Sequence, residues 1–301
     1  MNLLETMQNR RSIRSFESRL ISESHVEQIA SSLGETGIGP FGNEVRFALL
    51  HPSKECPEAL KGLGGALGTY GFIKHVQAFA VGALKTGPLA LCDVGYLLER
   101  AVLTASSLGV GSCWLGGSFR PGPFGKVISV RENETIPAVI ALGYPGARRR
   151  VTDKLIEMHH SAGNQRAEWA TRFFDENDFE RPADIETLGM DRDLFSAVHV
   201  APSSCNTQPW RIVRSGAGVF HLFFARDQRY SKKDRFIGNA DLQLIDMGIA
   251  MCHFEEMARA LNRAGKWEVL DAVDTLNVPD HVKYLVSWLG EPVRASEGGR
   301  A

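Results

Sequence analysis

DVGYLLERAVLTASSLGV at Asp93–Val110 and ADLQLIDMGIAMCHFEEMARALN at Ala240–Asn262 are the stretches on which the fold turns. Each predicts a helix that is apolar or small on nearly every side, and therefore buried rather than docked on a surface. Each has Asp-x-Gly near its start, Asp93 with Gly95 and Asp246 with Gly248. Each is followed by a glycine segment with a tryptophan: Gly111-Ser112-Cys113-Trp114 after the first, Gly265-Lys266-Trp267 after the second.

Outward from these helices the parallels continue. Ile136–Gly143 and Val282–Gly290 both read as strands ending in Leu-Gly. Upstream, Val26 to Leu50 reads as helix, glycine-rich turn and the strand EVRFALL. Asp191 to Val213 reads as helix (Asp191–Val200), turn and strand (Arg211–Val213), and Ala78–Ala83 reads as another strand. The order predicts an α+β protein built from two degenerate copies of one unit, an internal pseudo-dimer with antiparallel-type sheets flanked by helices. Two unrelated α+β domains with a similar element order are the other account. The acidic stretch Asp175–Gly189, DENDFERPADIETLG, reads as a linker or crossing segment. The first half is then 1–174 and the second, shorter half 175–301, in one intertwined unit.

Composition excludes several classes. The chain has 301 residues, 44% of them hydrophobic, and a formal net charge of -1. No global basic field exists to hold nucleic acid or an anionic membrane. The longest apolar runs are far short of the roughly 20 residues that span a bilayer. Cys56, Cys92, Cys113, Cys205 and Cys252 form no metal-type spacing and are odd in number, and the start of the chain has no leader pattern. These features predict a reduced, cytoplasmic protein.

Four motifs carry chemistry. Arg10-Arg11-Ser12-Ile13-Arg14-Ser15-Phe16 follows a short helix, Leu3–Gln8. If extended, it puts Arg10, Ser12 and Arg14 on one face, an anion site or equally a solvated basic patch. Ala201-Pro202-Ser203-Ser204-Cys205-Asn206-Thr207-Gln208-Pro209-Trp210 predicts a rigid polar turn, either a ligand-facing donor array or simply a capped loop. Gly111–Gly117, GSCWLGG, lets backbone N–H groups approach a ligand, or ends a helix in a tight turn. Gly146-Ala147-Arg148-Arg149-Arg150 follows the strand ending at Gly143. His253, within the second helix, reads as a hydrogen-bonded core histidine rather than a ligand.

Together these residues resemble the nitroreductase family of flavoproteins, over most of the chain. Tyr70-Gly71-Phe72-Ile73-Lys74 and the strand after it look like the tandem subgroup, in which one chain carries both halves. In ordinary members two subunits build two equivalent flavin sites. Here RRSIRSF, WLGG and GARRR stand in the first half and PSSCNTQPW in the second. The first half has Gly39-Pro40-Phe41-Gly42-Asn43-Glu44 where its Ser-Ser-Asn turn should lie. The resemblance therefore implies one FMN per chain, with the mirror site lost and a monomer sufficient.

It also implies residue roles. Arg10 and Ser12, with Arg148 and Arg150, match the phosphate ligands, and Arg11 belongs to the same motif. Arg14 matches the cation beside the N1–C2=O edge of the ring. Backbone N–H groups at Leu115, Gly116 and Gly117, next to Trp114, match donors to the N5–O4 edge. Gly116 stands where the family's usual acidic residue would be. Pro202, Ser203, Ser204 and Asn206 match contacts to the ribityl chain and ring. The implied activity is hydride transfer from a transient NAD(P)H, through the flavin, to a small oxidised acceptor such as a nitroaromatic or quinone. No Ser-His-Asp, Cys-His, metal or separate nicotinamide motif competes. Two other classes stay open: a flavin-binding protein with a non-redox or regulatory role, and a cofactor-free structural relic.

Overall fold

The computed structural model describes residues 2–34, 36–52, 62–146, 168–228 and 240–291. The first half runs α1 (Leu3–Asn9), α2 (Glu23–Leu33), β1 (Thr36–Ile38), β2 (Glu44–Leu50), α3 (Ala66–Thr69), β3 (Ala78–Lys85) and α4 (Ala90–Ser107). It continues through β4 (Gly111–Leu115), α5 (Pro121–Val127), β5 (Glu134–Thr135) and β6 (Val139–Gly143). The second runs β7 (Phe173–Asp175), β8 (Asp178–Pro182), α6 (Asp191–His199), β9 (Trp210–Gly216), β10 (Val219–Ala225), α7 (Leu242–Ala260), β11 (Gly265–Glu268) and β12 (Val282–Gly290).

The described residues form two six-stranded sheets, ordered β1-β2-β3-β6-β4, with β5 beside β3, and β11-β12-β10-β9-β7-β8. Four strands of each share one antiparallel order, β2-β3-β6-β4 and β9-β10-β12-β11. The expected α+β architecture with a two-repeat layout is thus visible strand by strand. The register agrees as well: Gly111 pairs with Gly143 in one sheet and Gly265 with Gly290 in the other.

The repeated Asp-x-Gly has a physical reason. A Cβ added to Gly95 would lie 2.1 Å from the Ile245 carbonyl oxygen, and one added to Gly248 would lie 1.8 Å from that of Cys92. Each glycine therefore lets the backbone of one long helix touch the other, and the reciprocity is that of a two-fold axis. Around this crossing Leu98, Val102, Met247, Met251, Phe254, Phe195 and Trp210 form one core shared by both sheets. Burying such side chains is worth about 1.5–3 kcal/mol each. A second apolar cluster, with Phe79 and Phe124, covers the outer face of the first sheet. A smaller one, with Phe174, Phe179 and Phe223, covers that of the second.

Several boundaries differ from the sequence reading. The first long helix begins at Ala90 and ends at Ser107, so Asp93 lies inside its first turn. The strand expected from Ile136 starts at Val139, after Pro137, which has no N–H to donate to a ladder. The strand at Ala78 runs to Lys85, and the one at Arg211 spans Trp210–Gly216. The expected linker is not one throughout: Asp175 and Asp178–Pro182 belong to a hairpin on the edge of the second sheet. Its turn is Glu176-Asn177, both at positive φ. The acidic composition hid the buried Phe179 between polar neighbours, which is the alternation of an edge strand. Among the described residues no helix is long and apolar enough to cross a membrane.

Candidate functional site

The Arg-Ser segment leaves α1 in an extended conformation and is threaded between three others. Ile13 N donates to Ser112 O (2.8 Å) of β4, and Ser12 pairs with Ser112 in parallel. Lys74 N donates to Arg14 O (2.9 Å), and Gly146 N to Ser15 O (3.0 Å). Gly146 begins the basic stretch, so its start lies against the Arg-Ser segment. Arg148, Arg149 and Arg150 lie outside the described residues.

The polar side chains of that segment differ in their surroundings. Arg10 is buried, and its Nε has no partner. Burial lowers its pKa, and the Glu99 carboxylate opposes that shift. Arg14 is partly buried, and both Arg10 and Arg14 pull down the Cys113 thiol, which burial pushes up. Both arginines thus lie near Cys113 of β4, while Ser12 stays exposed. Arg11 does not join them. Its guanidinium turns back to Gln8 O (2.5 Å) and Arg10 O (2.9 Å), satisfying carbonyls at the end of α1.

The turn at Ser203–Asn206 is held by α7. Ser204 donates its N–H (2.9 Å) and hydroxyl (3.2 Å) to Asp246 Oδ1, and Gln208 N donates to Ser203 Oγ (3.0 Å). Cys205 and Asn206 both sit at positive φ, folding the turn tightly, and Pro202 is partly buried beside it. The first half repeats the device. Asp93 accepts from Phe41 N, Asn43 N and Asn43 Nδ2 at 2.8–2.9 Å. Burial raises the Asp93 pKa, and those hydrogen bonds oppose the rise. Gly39–Asn43 is therefore the structural counterpart of the 203–206 turn, without its hydroxyls.

The third piece is the end of β4. Leu115 is buried, and Trp114 donates Nε1 to Glu99 Oε2 at 2.7 Å, so the Trp114 side chain points inward. A Cβ on Gly116 would lie 2.5 Å from the Leu242 side chain, so this glycine packs directly against the start of α7 and a side chain there would push Leu242 aside. Leu242 and Asp246 are four residues apart, neighbours on one helical face about 5–6 Å apart. One turn of α7 thus holds both Gly116 and the 203–206 turn, and β4 carries the Arg-Ser segment alongside. The order Ser12, Ser112, Gly116, Leu242, Asp246, Ser204 joins the motifs of both halves through contacts.

Sequence reasoning did not single out Glu99, Leu242, Asn43 or the anchoring role of Asp93 and Asp246. The repeated Asp-x-Gly was the available signal for the aspartates. Glu99 and Leu242 left none, because their partners are distant in the chain. His253 is a hydrogen-bonded core histidine, as expected, contacting Ala197 O and Glu99.

A family model described as "Putative TM nitroreductase" matches residues 2–258, and the chain belongs to this family of nitroreductases. A solved structure from Thermotoga maritima, described as a "putative nitroreductase", is similar over 96% of this chain and 94% of its own, with a TM-score of 0.57 and 17% identity. At that identity the likeness is one of fold. A nitroreductase family protein from Clostridium difficile 630 covers 52% of this chain and 92% of its own (TM-score 0.40, 17% identity). An FMN-dependent nitroreductase from Clostridium difficile R20291 covers 48% and 88% (TM-score 0.40, 17% identity). Among curated proteins, none matches the chain.

Proposed function

We propose that the chain is an FMN-dependent oxidoreductase that takes hydride from NAD(P)H and delivers it to a small oxidised acceptor. The observation that carries this reading is the buried Arg10 guanidinium. Its Nε lacks a partner, and it lies on the segment that β4 holds beside Ser12. A desolvated cation with an unused donor fits a phosphate, whose oxygens accept from guanidinium forks. The polar turn at Ser203, Ser204 and Asn206 fits a polyol, offering hydroxyls and an amide on a backbone that Asp246 fixes.

In this reading Arg10 and Ser12 hold the phosphate with Arg148 and Arg150, and the second-half turn orients the ribityl chain. Arg14 sets a positive charge beside the ring edge that gains negative charge on reduction. Leu115, Gly116 and Gly117 lend main-chain donors. When bound, FMN supplies the hydride chemistry, so the chain itself need position no acid or base. The Gly39–Asn43 turn offers Pro40 and Phe41 where the other turn offers Ser203 and Ser204, which supports one flavin per chain and a monomer as the sufficient unit. A cytoplasmic setting belongs to the same proposal.

The test is spectroscopic. Purified protein titrated with FMN should bind one equivalent and quench its fluorescence, and anaerobic NADH or NADPH should then bleach the visible bands. Tight binding without bleaching would leave a non-redox role. A colourless protein that ignores FMN would end the proposal.

A further inference from the structure

Arg172 and Arg211 come level with each other in the second sheet, close enough for their charges to interact. Their placement follows from register. β7 runs parallel to β9, with Phe173 beside Ile212 and Phe174 beside Val213, and Ile212 N donates to Arg172 O at 2.9 Å. One step back along both strands brings residues 172 and 211 level. Phe173 and Ile212 enter the shared core, whereas Phe174 and Val213 enter the outer cluster. By alternation Arg211, within β9 and opposite Phe223, projects on the outer side. Arg172, at the mouth of β7, lies near enough for its charge to act on Arg211. The sheet and its core separate Arg211 from Glu99 and His253, near which Arg10 lies.

Both side chains are partly buried and poorly matched. Arg211 donates to the main-chain carbonyls of Trp210 (2.8 Å) and Gln208 (3.4 Å). Arg172 donates to Thr171 O (3.2 Å) and Oγ1 (3.0 Å), while its Nε is buried without a partner. Among the described residues no carboxylate supports either cation. Asp184, the nearest acidic residue by register, is exposed and accepts from Glu186 N at 3.0 Å. Burial, with the charge of Arg172, brings the Arg211 guanidinium down to about 9. Like charges facing each other across strands are destabilising, and removing them from water adds to the cost. An anion between the two forks would turn this repulsion into attraction, through charge-assisted hydrogen bonds to both.

We propose that Arg172 and Arg211 form a binding site for a phosphate-type oxyanion, separate from the Arg10 segment. The proposal does not depend on flavin binding. It is tested by thermal unfolding of the full chain in inorganic phosphate, against sodium chloride of equal ionic strength. The series is run with saturating FMN and again in an Arg10→Ala background, so that the Arg10 segment cannot supply the response. The expected result is a saturable rise in Tm with phosphate in both settings. Arg172→Gln or Arg211→Gln should shift the midpoint of that rise at least about tenfold, the loss of one charge-assisted partner. In phosphate-free buffer each variant should be as stable as the parent or more so, because one of two repelling charges is gone. A phosphate response no larger than that of chloride, or one unchanged in both variants, would overturn the site. So would variants that lose stability in phosphate-free buffer, since the pair would then be held by contacts of its own.

Discussion

Glu99 Oε1 lies 3.0 Å from His253 Nε2, and neither side chain has any exposure to solvent. The opposite ring nitrogen, Nδ1, faces the Ala197 carbonyl oxygen at 2.9 Å, which can only accept, so Nδ1 carries a hydrogen. One proton must then sit between Nε2 and Oε1. The second Glu99 oxygen accepts from Trp114. A single buried carboxylate thus joins α4, α7 and β4, across the two halves and directly behind the Arg-Ser segment.

Removing either partner leaves the other buried and unmatched. Glu99→Ala and His253→Ala are each expected to cost about 3–5 kcal/mol of stability. Urea unfolding checks this. The double variant should cost less than the sum of the singles, because the two act as one unit. Additive losses would show that they do not.

The helix crossing has its own test. Gly248→Ala drives a methyl group into the Cys92 carbonyl, where backbone must move on both helices. A loss of about 3 kcal/mol or more is expected, at the upper end of overpacking costs. Gly122→Ala on α5, with nothing within 4 Å of its would-be Cβ, should change stability by less than about 0.5 kcal/mol. Thermal unfolding of the two variants side by side gives the comparison.

Within the Arg-Ser segment the structure separates neighbours. Arg10→Ala should weaken FMN binding by about 1.5–3 kcal/mol, the worth of a hydrogen bond to a charged group. Arg11→Ala should leave it within about twofold, since its Nη1 is turned back onto the Gln8 and Arg10 carbonyls at the end of α1. Fluorescence titration with FMN distinguishes the two, and equal losses would return Arg11 to the site.

Acid sensitivity should centre in part on Asp175. Its carboxyl is held below the usual carboxylate range, first by its hydrogen bond to Arg214. The group therefore ionises at lower pH in the folded chain than in the unfolded one. Its stabilisation is complete above about pH 4 and is lost as pH falls through the depressed folded value. Asp175→Asn should be less stable than the parent at pH 7, and the difference should shrink progressively as pH falls below about 4. Urea midpoints measured across that range check the convergence.

Much of this protein was legible before any coordinates. The two buried helices, the Asp-x-Gly in each, the Leu-Gly strand ends and the polar 203–206 turn all declare themselves locally. Helical periodicity, strand composition and turn chemistry involve residues within a few positions of one another. The β7–β8 hairpin was missed for the complementary reason: its charge outweighed a single buried phenylalanine in any local count.

What tertiary structure alone decided are the contacts between residues far apart in the chain. Ser204 meets Asp246, Gly116 meets Leu242, Glu99 meets His253, and Arg172 comes level with Arg211. No local pattern encodes such pairs, because each depends on the angle at which two helices cross or the register in which two strands align. The motifs therefore belonged to the sequence, and their assembly on one turn of α7 belonged to the packing of Gly95 and Gly248.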